Sequence, residues 1–323
     1  MSALTTEPTL QPARADGARA PAAEVEVILN AAAGVDDKEA ARARLAEVFA
    51  SAGVAARIVL AQSGAEIEEF ARHAAQSTAR IVCAGGGDGT LSAVAAPLVG
   101  TDKALGVLPL GTLNHFAKDL GIPLDLDGAA RAIIAGRTAR VDVGEVNGRV
   151  FLNNSSLGLY PSIVRQRERQ ERQGHARWLA FAWALIVVFK RFPFLNVRLS
   201  ADGRELYRRT PFVFVGNNEY EMDSFNVGAR ASLDRGLLSL HVTHKAGRLR
   251  LLALALRALT GRLRAAKDFD ALCAREVWIE TRRARLNVAT DGEVTVMRAP
   301  LHYRVRPGAL TVIVPEKAVT SDK

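Results

Sequence analysis

Between Glu24 and Arg140 short apolar runs alternate with longer amphipathic ones, and that alternation constrains the fold of this 323-residue chain more than any other feature. Val25–Leu29, Ala56–Leu60, Ile81–Ala84 and Leu105–Leu108 have the length and composition of strands. Lys38–Ser51 places Ala41, Leu45, Val48 and Phe49 at helical spacing, and Glu66–Ala75, Leu91–Val99 and Asn114–Leu120 also read as helices. Strands and helices alternating at this pitch argue for a parallel sheet covered by helices, a Rossmann-like α/β domain over 24–140.

After Val141 the texture changes. Short β-rich runs follow one another: Arg149–Asn153, Asn196–Ser200, Pro211–Val215, Leu237–Val242, Glu276–Glu280, Arg285–Ala289, Val294–Met297, His302–Val305 and Leu310–Val314. Asp202-Gly203, Asp291-Gly292 and Pro307-Gly308 supply turns between several of them. This predicts a mostly antiparallel β-sandwich over 141–315, interrupted by helical insertions at about 165–191 and 245–267. Residues 1–23, rich in Ala, Pro, Thr and Arg, and residues 316–323 read as tails, the first of them flexible and without the apolar stretch of a secretory signal.

Composition narrows the function classes. Half the chain is hydrophobic (49%), so it can build substantial cores, yet its longest apolar run, Trp178–Phe189, is far shorter than a spanning helix requires. Cys83 and Cys273 make no disulfide framework, which suits a reducing, cytoplasmic compartment. The formal net charge is +9, but segment 165–191 alone carries +5 and segment 245–267 carries +7, leaving −3 for the rest. In 245–267 Leu249, Leu252, Leu256, Leu259 and Leu263 share one helical face, with Arg250, Arg257 and Arg264 away from it. A Leu face backed by arginines suits the surface of an anionic membrane as well as it suits a helix packed on the sandwich. No aromatic platform or binding motif accompanies the charge, so nucleic acid is not the expected partner.

Two strand ends carry the chemistry. The strand ending at Ala84 runs into Gly85-Gly86-Gly87-Asp88-Gly89-Thr90 and then a helix. Glycines there allow a sharp turn and let backbone N–H groups face an anion at a helix N-terminus. The following strand ends in Pro109-Leu110-Gly111-Thr112-Leu113-Asn114-His115-Phe116-Ala117. Adjacent strand ends offering glycines, hydroxyls and an amide form the crevice in which open α/β sheets bind ligands. No Gly-Lys-[Ser/Thr] follows, so this is not a Walker loop.

These two motifs together resemble the diacylglycerol kinase catalytic-domain family, which includes bacterial lipid kinases and sphingosine and ceramide kinases. The resemblance continues through Asn154-Ser155-Ser156-Leu157-Gly158, Val215-Gly216-Asn217, Leu233-Asp234-Arg235-Gly236-Leu237-Leu238 and Asp291-Gly292-Glu293, spanning about Val25 to Pro315. It implies an ATP-binding α/β domain and a β-sandwich domain, with a lipid hydroxyl meeting the γ-phosphate in the cleft between them. Asn30, Gly34, Gly85, Gly86, Gly87, Asp88, Gly89, Thr90, Gly111, Thr112 and Asn114 then contact the nucleotide, with Asp88 nearest the catalytic Mg²⁺. Asp-Gly between two β-runs is by itself an ordinary hairpin turn. The family places its general base in this Asp-Gly-Glu, and a carboxylate suits the deprotonation of an attacking hydroxyl. Glu293 is favoured, with Asp291 as an essential neighbour or the alternative base.

The chain departs from the family pattern in four places. Asn30-Ala31-Ala32-Ala33-Gly34 lacks the hydroxyl of the usual Asn-Pro-x-Ser-Gly, and a threonine of some bacterial members aligns with Leu60, leaving only Ser63 nearby. His115 replaces the Asp of Asn-Asp-Phe-Ala. Arg235 stands where bacterial relatives have an Asp that ligates a structural Mg²⁺; a guanidinium cannot ligate a metal, though it can replace the cation's charge by pairing with Asp234. The expectation is an ATP- and Mg²⁺-dependent lipid kinase, cytoplasmic and peripherally membrane-bound, acting on an alcohol such as diacylglycerol. A NAD kinase-like enzyme and a non-catalytic lipid- or nucleotide-binding protein are the alternatives.

Overall fold

The computed structural model describes residues 24–32, 37–158, 194–220, 230, 232–243 and 269–316. Gly34, both basic segments and residues 1–23 and 317–323 lie outside the described residues.

The first half alternates as the sequence predicts: β1 (Val25–Asn30), α1 (Lys38–Ser51), β2 (Ala56–Ala61), α2 (Gly64–Gln76), β3 (Ile81–Gly86), α3 (Asp88–Ala95), β4 (Ala104–Pro109), α4 (His115–Asp119), α5 (Leu126–Ala135) and β5 (Arg137–Val146). Strands β2-β1-β3-β4 pair in parallel in that order. β4 is buried along its whole length, as a strand covered on both faces must be. Side chains set the helix starts. Asp37 accepts from Ala40 N at 2.8 Å, Asp125 accepts from Gly128 N at 2.7 Å, and Ser63 accepts from Glu66 N at 3.3 Å. Ser63 therefore caps α2.

The second half adds β6 (Arg149–Phe151), β7 (Asn154–Gly158), β8 (Leu195–Ala201), β9 (Arg204–Thr210), β10 (Phe212–Asn217), β11 (Leu238–Thr243), β12 (Phe269–Ala274), β13 (Glu276–Thr281), β14 (Arg285–Thr290), β15 (Glu293–Arg298) and β16 (Leu301–Val314). A six-stranded antiparallel sheet runs β12-β11-β10-β7-β14-β15. Its Leu157, Val213, Val215, Leu240 and Val288 pack against Val197, Leu199, Val277, Ile279 and Tyr303 of the facing sheet. The α/β-plus-sandwich architecture is thus borne out.

The boundary between the halves differs from a cut at residue 141. That position falls inside β5, and β16 belongs to both halves. Leu301, Tyr303 and Val305 fill the sandwich core, whereas Leu310, Val312 and Val314 fill the α/β core and Val312 pairs in parallel with Leu105 of β4. One ten-stranded sheet therefore runs through both halves. Pro307-Gly308 is a bulge within β16, not a turn between strands. The register against β5 shifts there, and the buried Asp142 carboxylate holds Gly308 N at 2.8 Å and Gly236 N at 2.6 Å.

Candidate active site

β3, β4 and β1 end side by side, and their loops touch. A Cβ on Gly111 would sit 2.4 Å from Gly87 Cα, so the two glycine turns approach more closely than any side chain permits. Asn30, at the end of β1, donates from Nδ2 to Thr90 Oγ1 at 2.9 Å. The Asp88 carboxylate reaches across to α4, accepting from His115 N at 3.2 Å and Phe116 N at 3.0 Å. The substitution at His115 is harmless to this contact, because the backbone makes it. Asn114 is left-handed (φ 51°) and closes its own loop, accepting from Gly111 N at 3.0 Å and donating to Gly111 O at 2.9 Å. Thr112 stays exposed at the loop tip. Of the residues assigned to nucleotide contact, Asn30, Gly85–Thr90, Gly111, Thr112 and Asn114 come together at the C-terminal ends of the neighbouring strands β1, β3 and β4. Asn114 shapes the loop with its amide.

Asp291 and Gly292 form the two-residue turn of the β14–β15 hairpin, with φ of 47° and 88°. The turn inserts under α3. The Asp291 carboxylate accepts from the N–H groups of Leu152 (2.7 Å), Asn153 (2.9 Å) and Asn154 (3.0 Å), and from the Ser92 hydroxyl one helical turn beyond Asp88. Burial pushes its pKa above the usual carboxylate range, while the four donors pull the other way.

Glu293 is arranged differently. Its Oε2 pairs with Arg149 Nη2 at 2.6 Å, and its Oε1 lies where a Cβ on Gly89 would approach to 3.0 Å. Its side chain is 53% exposed. Partial burial raises its pKa, with Glu68 and Asp291 adding to the rise and Arg149 opposing it. It opens on a cleft of about 600 Å³ lined by Glu68, Arg72, Gly89, Ser92, Arg149 and Glu293 among others.

Comparison with known proteins supplies the family. Residues 24–146 match the diacylglycerol kinase catalytic domain, and residues 160–314 match the YegS C-terminal NAD kinase beta sandwich-like domain. A probable YegS-like lipid kinase of Pseudomonas syringae pv. tomato is 31% identical over 245 residues, 73% of this chain and 76% of that protein. The chain belongs to the YegS-like family of lipid kinases. A namesake from Klebsiella pneumoniae is 43% identical over 100 residues, which is 30% of this chain and 34% of that protein. The fold is that of a putative diacylglycerol kinase from Bacillus anthracis, with a TM-score of 0.73 at 24% identity, over 91% of this chain and 98% of that one.

In this YegS-like chain several site residues carry no motif that marks them. Asn153 is 2% exposed and uses every polar group: its N–H holds Asp291, its Nδ2 donates to Asp88 Oδ1 at 3.1 Å, its Oδ1 accepts from Arg230 at 2.8 Å, and its C=O accepts from Asn217 N at 2.8 Å. Arg230, with no exposed side-chain surface, pairs with Asp119 at 2.7 Å and donates to Leu152 O at 2.7 Å and Asn217 O at 3.1 Å. Its guanidinium also lies 5.9 Å from the Phe116 ring and 5.6 Å from that of Tyr220. The spacing of Ser92 from Asp88, four residues on one helix, was a usable signal; Arg230 offered none.

The metal expectations change. Asp88 uses both carboxylate oxygens on α4 and Asn153, and no three Asp, Glu, His or Cys side chains converge among the described residues. A resident magnesium cage does not fit that donor set. Among the described residues Arg235 does not pair with Asp234, which instead receives the Ser232 hydroxyl, but meets Glu219 at 3.9 Å, with both side chains more than half exposed. A guanidinium cannot ligate a metal, so Arg235 itself supplies no donor there.

Proposed function

We propose that this kinase transfers the γ-phosphate of ATP to the hydroxyl of a membrane lipid such as diacylglycerol, with Glu293 as the proton acceptor. The approach of Glu293 Oε1 to Gly89 carries the reading. It sets an open carboxylate oxygen against the glycine turn expected to cradle the phosphates. Asp291 is the weaker candidate, because four donors already occupy its oxygens and a fifth proton would displace one of them. Its role is to anchor the hairpin that presents Glu293.

ATP would lie across Gly85–Thr90 and Gly111–Thr112, its phosphates facing N–H groups at the start of α3, and would arrive with Mg²⁺, which offsets phosphate charge. The lipid hydroxyl gives its proton to Glu293 Oε1 as its oxygen bonds to the γ-phosphorus. The bond to the β–γ bridging oxygen breaks, and ADP leaves. Most of the rate comes from positioning and charge neutralisation.

The membrane part of the proposal rests on the sequence of segments 165–191 and 245–267. No helix among the described residues is long and apolar enough to cross a membrane. Flotation with anionic vesicles, weakened by salt and absent with neutral ones, is the expected behaviour; equal recovery on both rejects it.

The deciding assay supplies labelled ATP with a total lipid extract and, separately, with NAD. A labelled lipid is expected. Labelled NADP without lipid supports a NAD kinase, and ATP binding without any product supports a non-catalytic protein.

A further inference from the structure

We propose that Arg149 is a positioning residue for the proton acceptor, fixing Glu293 through one carboxylate oxygen so that the other stays aimed at the glycine turn. The proposal rests on the reading of Glu293 given above. Arg149 opens β6 and reaches the β14–β15 hairpin, where Thr290 and Glu293 are cross-strand partners on either side of the Asp291-Gly292 turn. Its Nε donates to Thr290 Oγ1 at 3.0 Å, and its Nη2 pairs with Glu293 Oε2 at 2.6 Å. Thr290 is buried, and two contacts from different nitrogens of a planar group fix the plane of the guanidinium.

The pair is a poor device for stability. Arg149 and Glu293 are 35% and 53% exposed, and ion pairs that wet contribute little to folding. It is a good device for geometry. Glu293 has three rotatable side-chain bonds and an open cleft in front of it, so an unanchored carboxylate would leave Gly89 for much of the time. Held at Oε2, it keeps Oε1 facing the loop. The arrangement also leaves a fixed cation beside the transferred phosphoryl group, where negative charge must be offset.

The charged groups facing Glu293 are Glu68 and Arg72 from α2, Asp291 from the turn and Arg149 from β6. Among the described residues Arg149 is the one cation paired with the carboxylate, and it opposes the two acidic neighbours, so its removal must raise the protonation range of Glu293.

The test compares Arg149→Met, Arg149→Lys and Thr290→Val with the wild type. Arg149→Met is expected to lower kcat about 10- to 100-fold, a fraction of what general-base catalysis contributes, with KM for ATP within about two-fold and Tm nearly unchanged. The acid limb of its pH–rate profile moves to higher pH. Arg149→Lys restores the position of that limb and only part of kcat, because an ammonium, though it has three donors, lacks the rigid planar fork that holds Thr290 and Glu293 from two separate nitrogens. Thr290→Val lowers kcat without moving the limb. An unchanged kcat in Arg149→Met, or a loss matched by a fall in Tm with the acid limb unmoved, overturns the proposal. The Glu293 carboxyl titration, followed by ¹³C NMR in protein without substrate, separates this from failure of the functional reading. A titration that rises in Arg149→Met supports the contact even if the wild type phosphorylates nothing, and an unmoved titration overturns it.

Discussion

The side-chain amide of Asn153 donates to the Asp88 carboxylate at 3.1 Å, joining the glycine turn of the α/β half to the loop that entered the sandwich half. The backbone N–H of the same residue holds Asp291. One buried asparagine thus ties the glycine turn to the Asp291-Gly292 hairpin, alongside the direct bond from the Ser92 hydroxyl to Asp291. Asn153→Leu keeps the branching of the side chain, adds some bulk and removes both side-chain bonds, leaving Asp88 and Arg230 each short of a partner. A loss of about 2–4 kcal/mol in urea denaturation is expected.

Arg230→Met strands Asp119 without its cation in a buried site. Breaking such a pair costs about 3–5 kcal/mol, whereas replacing both partners with apolar groups is often close to neutral. The double variant Arg230→Met/Asp119→Leu should therefore recover most of the stability lost in the single one, though not the contacts to Leu152, Asn217 and Asn153. Denaturant midpoints across the four-member cycle check this directly.

The alternating half of the fold was legible because helix caps and apolar periodicity act locally. Asp37, Ser63 and Asp125 sit at the starts of the helices they cap. Helix α5 was overlooked although Asp125 and Gly136 bracket it. Strands β5, β7, β9 and β12 were all missed; β9 and β12 are sheet edges, and β9 carries Arg204, Glu205, Arg208 and Arg209, a charge pattern that protects an edge and masks its alternation. Arg149–Asn153 read as one strand, but β6 stops at Phe151 because the next three N–H groups turn to Asp291. That break depends on a residue more than a hundred positions away. The same distance hid Arg230 and kept Asp291 and Glu293 inseparable: both are carboxylates in one short motif, and only their different partners distinguish them.

Glu293→Gln should lower kcat at least about 10²-fold with ATP affinity nearly intact, since an amide cannot accept the proton and remains similar in size. Wild-type activity should carry an acid limb from the same group. Partial burial and the neighbouring Glu68 and Asp291 raise the Glu293 pKa above the ordinary glutamate value, so activity is full above that raised value and is lost as pH falls through it. An acid limb at or below the ordinary glutamate value would argue for another base. The pH–rate profile of kcat and nucleotide titration by calorimetry check the two parts.

Gly89→Ala separates stability from activity by sign. Gly89 lies in the first turn of α3, in a backbone conformation that alanine adopts without strain, and alanine in a helix is favoured over glycine by up to about 1 kcal/mol. The fold should be as stable or slightly more so. The new methyl, however, would stand 3.0 Å from Glu293 Oε1, inside the ordinary contact distance. The hairpin beneath is fixed by four bonds to Asp291, so the carboxylate end of Glu293 must yield and swing away from the phosphate loop. A fall in kcat of about 10-fold with an equal or higher Tm is expected, because a displacement of a few tenths of an ångström to one ångström at the reacting atoms costs one to two orders of magnitude. Unchanged kcat at raised Tm would mean that the approach of Glu293 to Gly89 is packing alone and would move the proton acceptor elsewhere in the cleft.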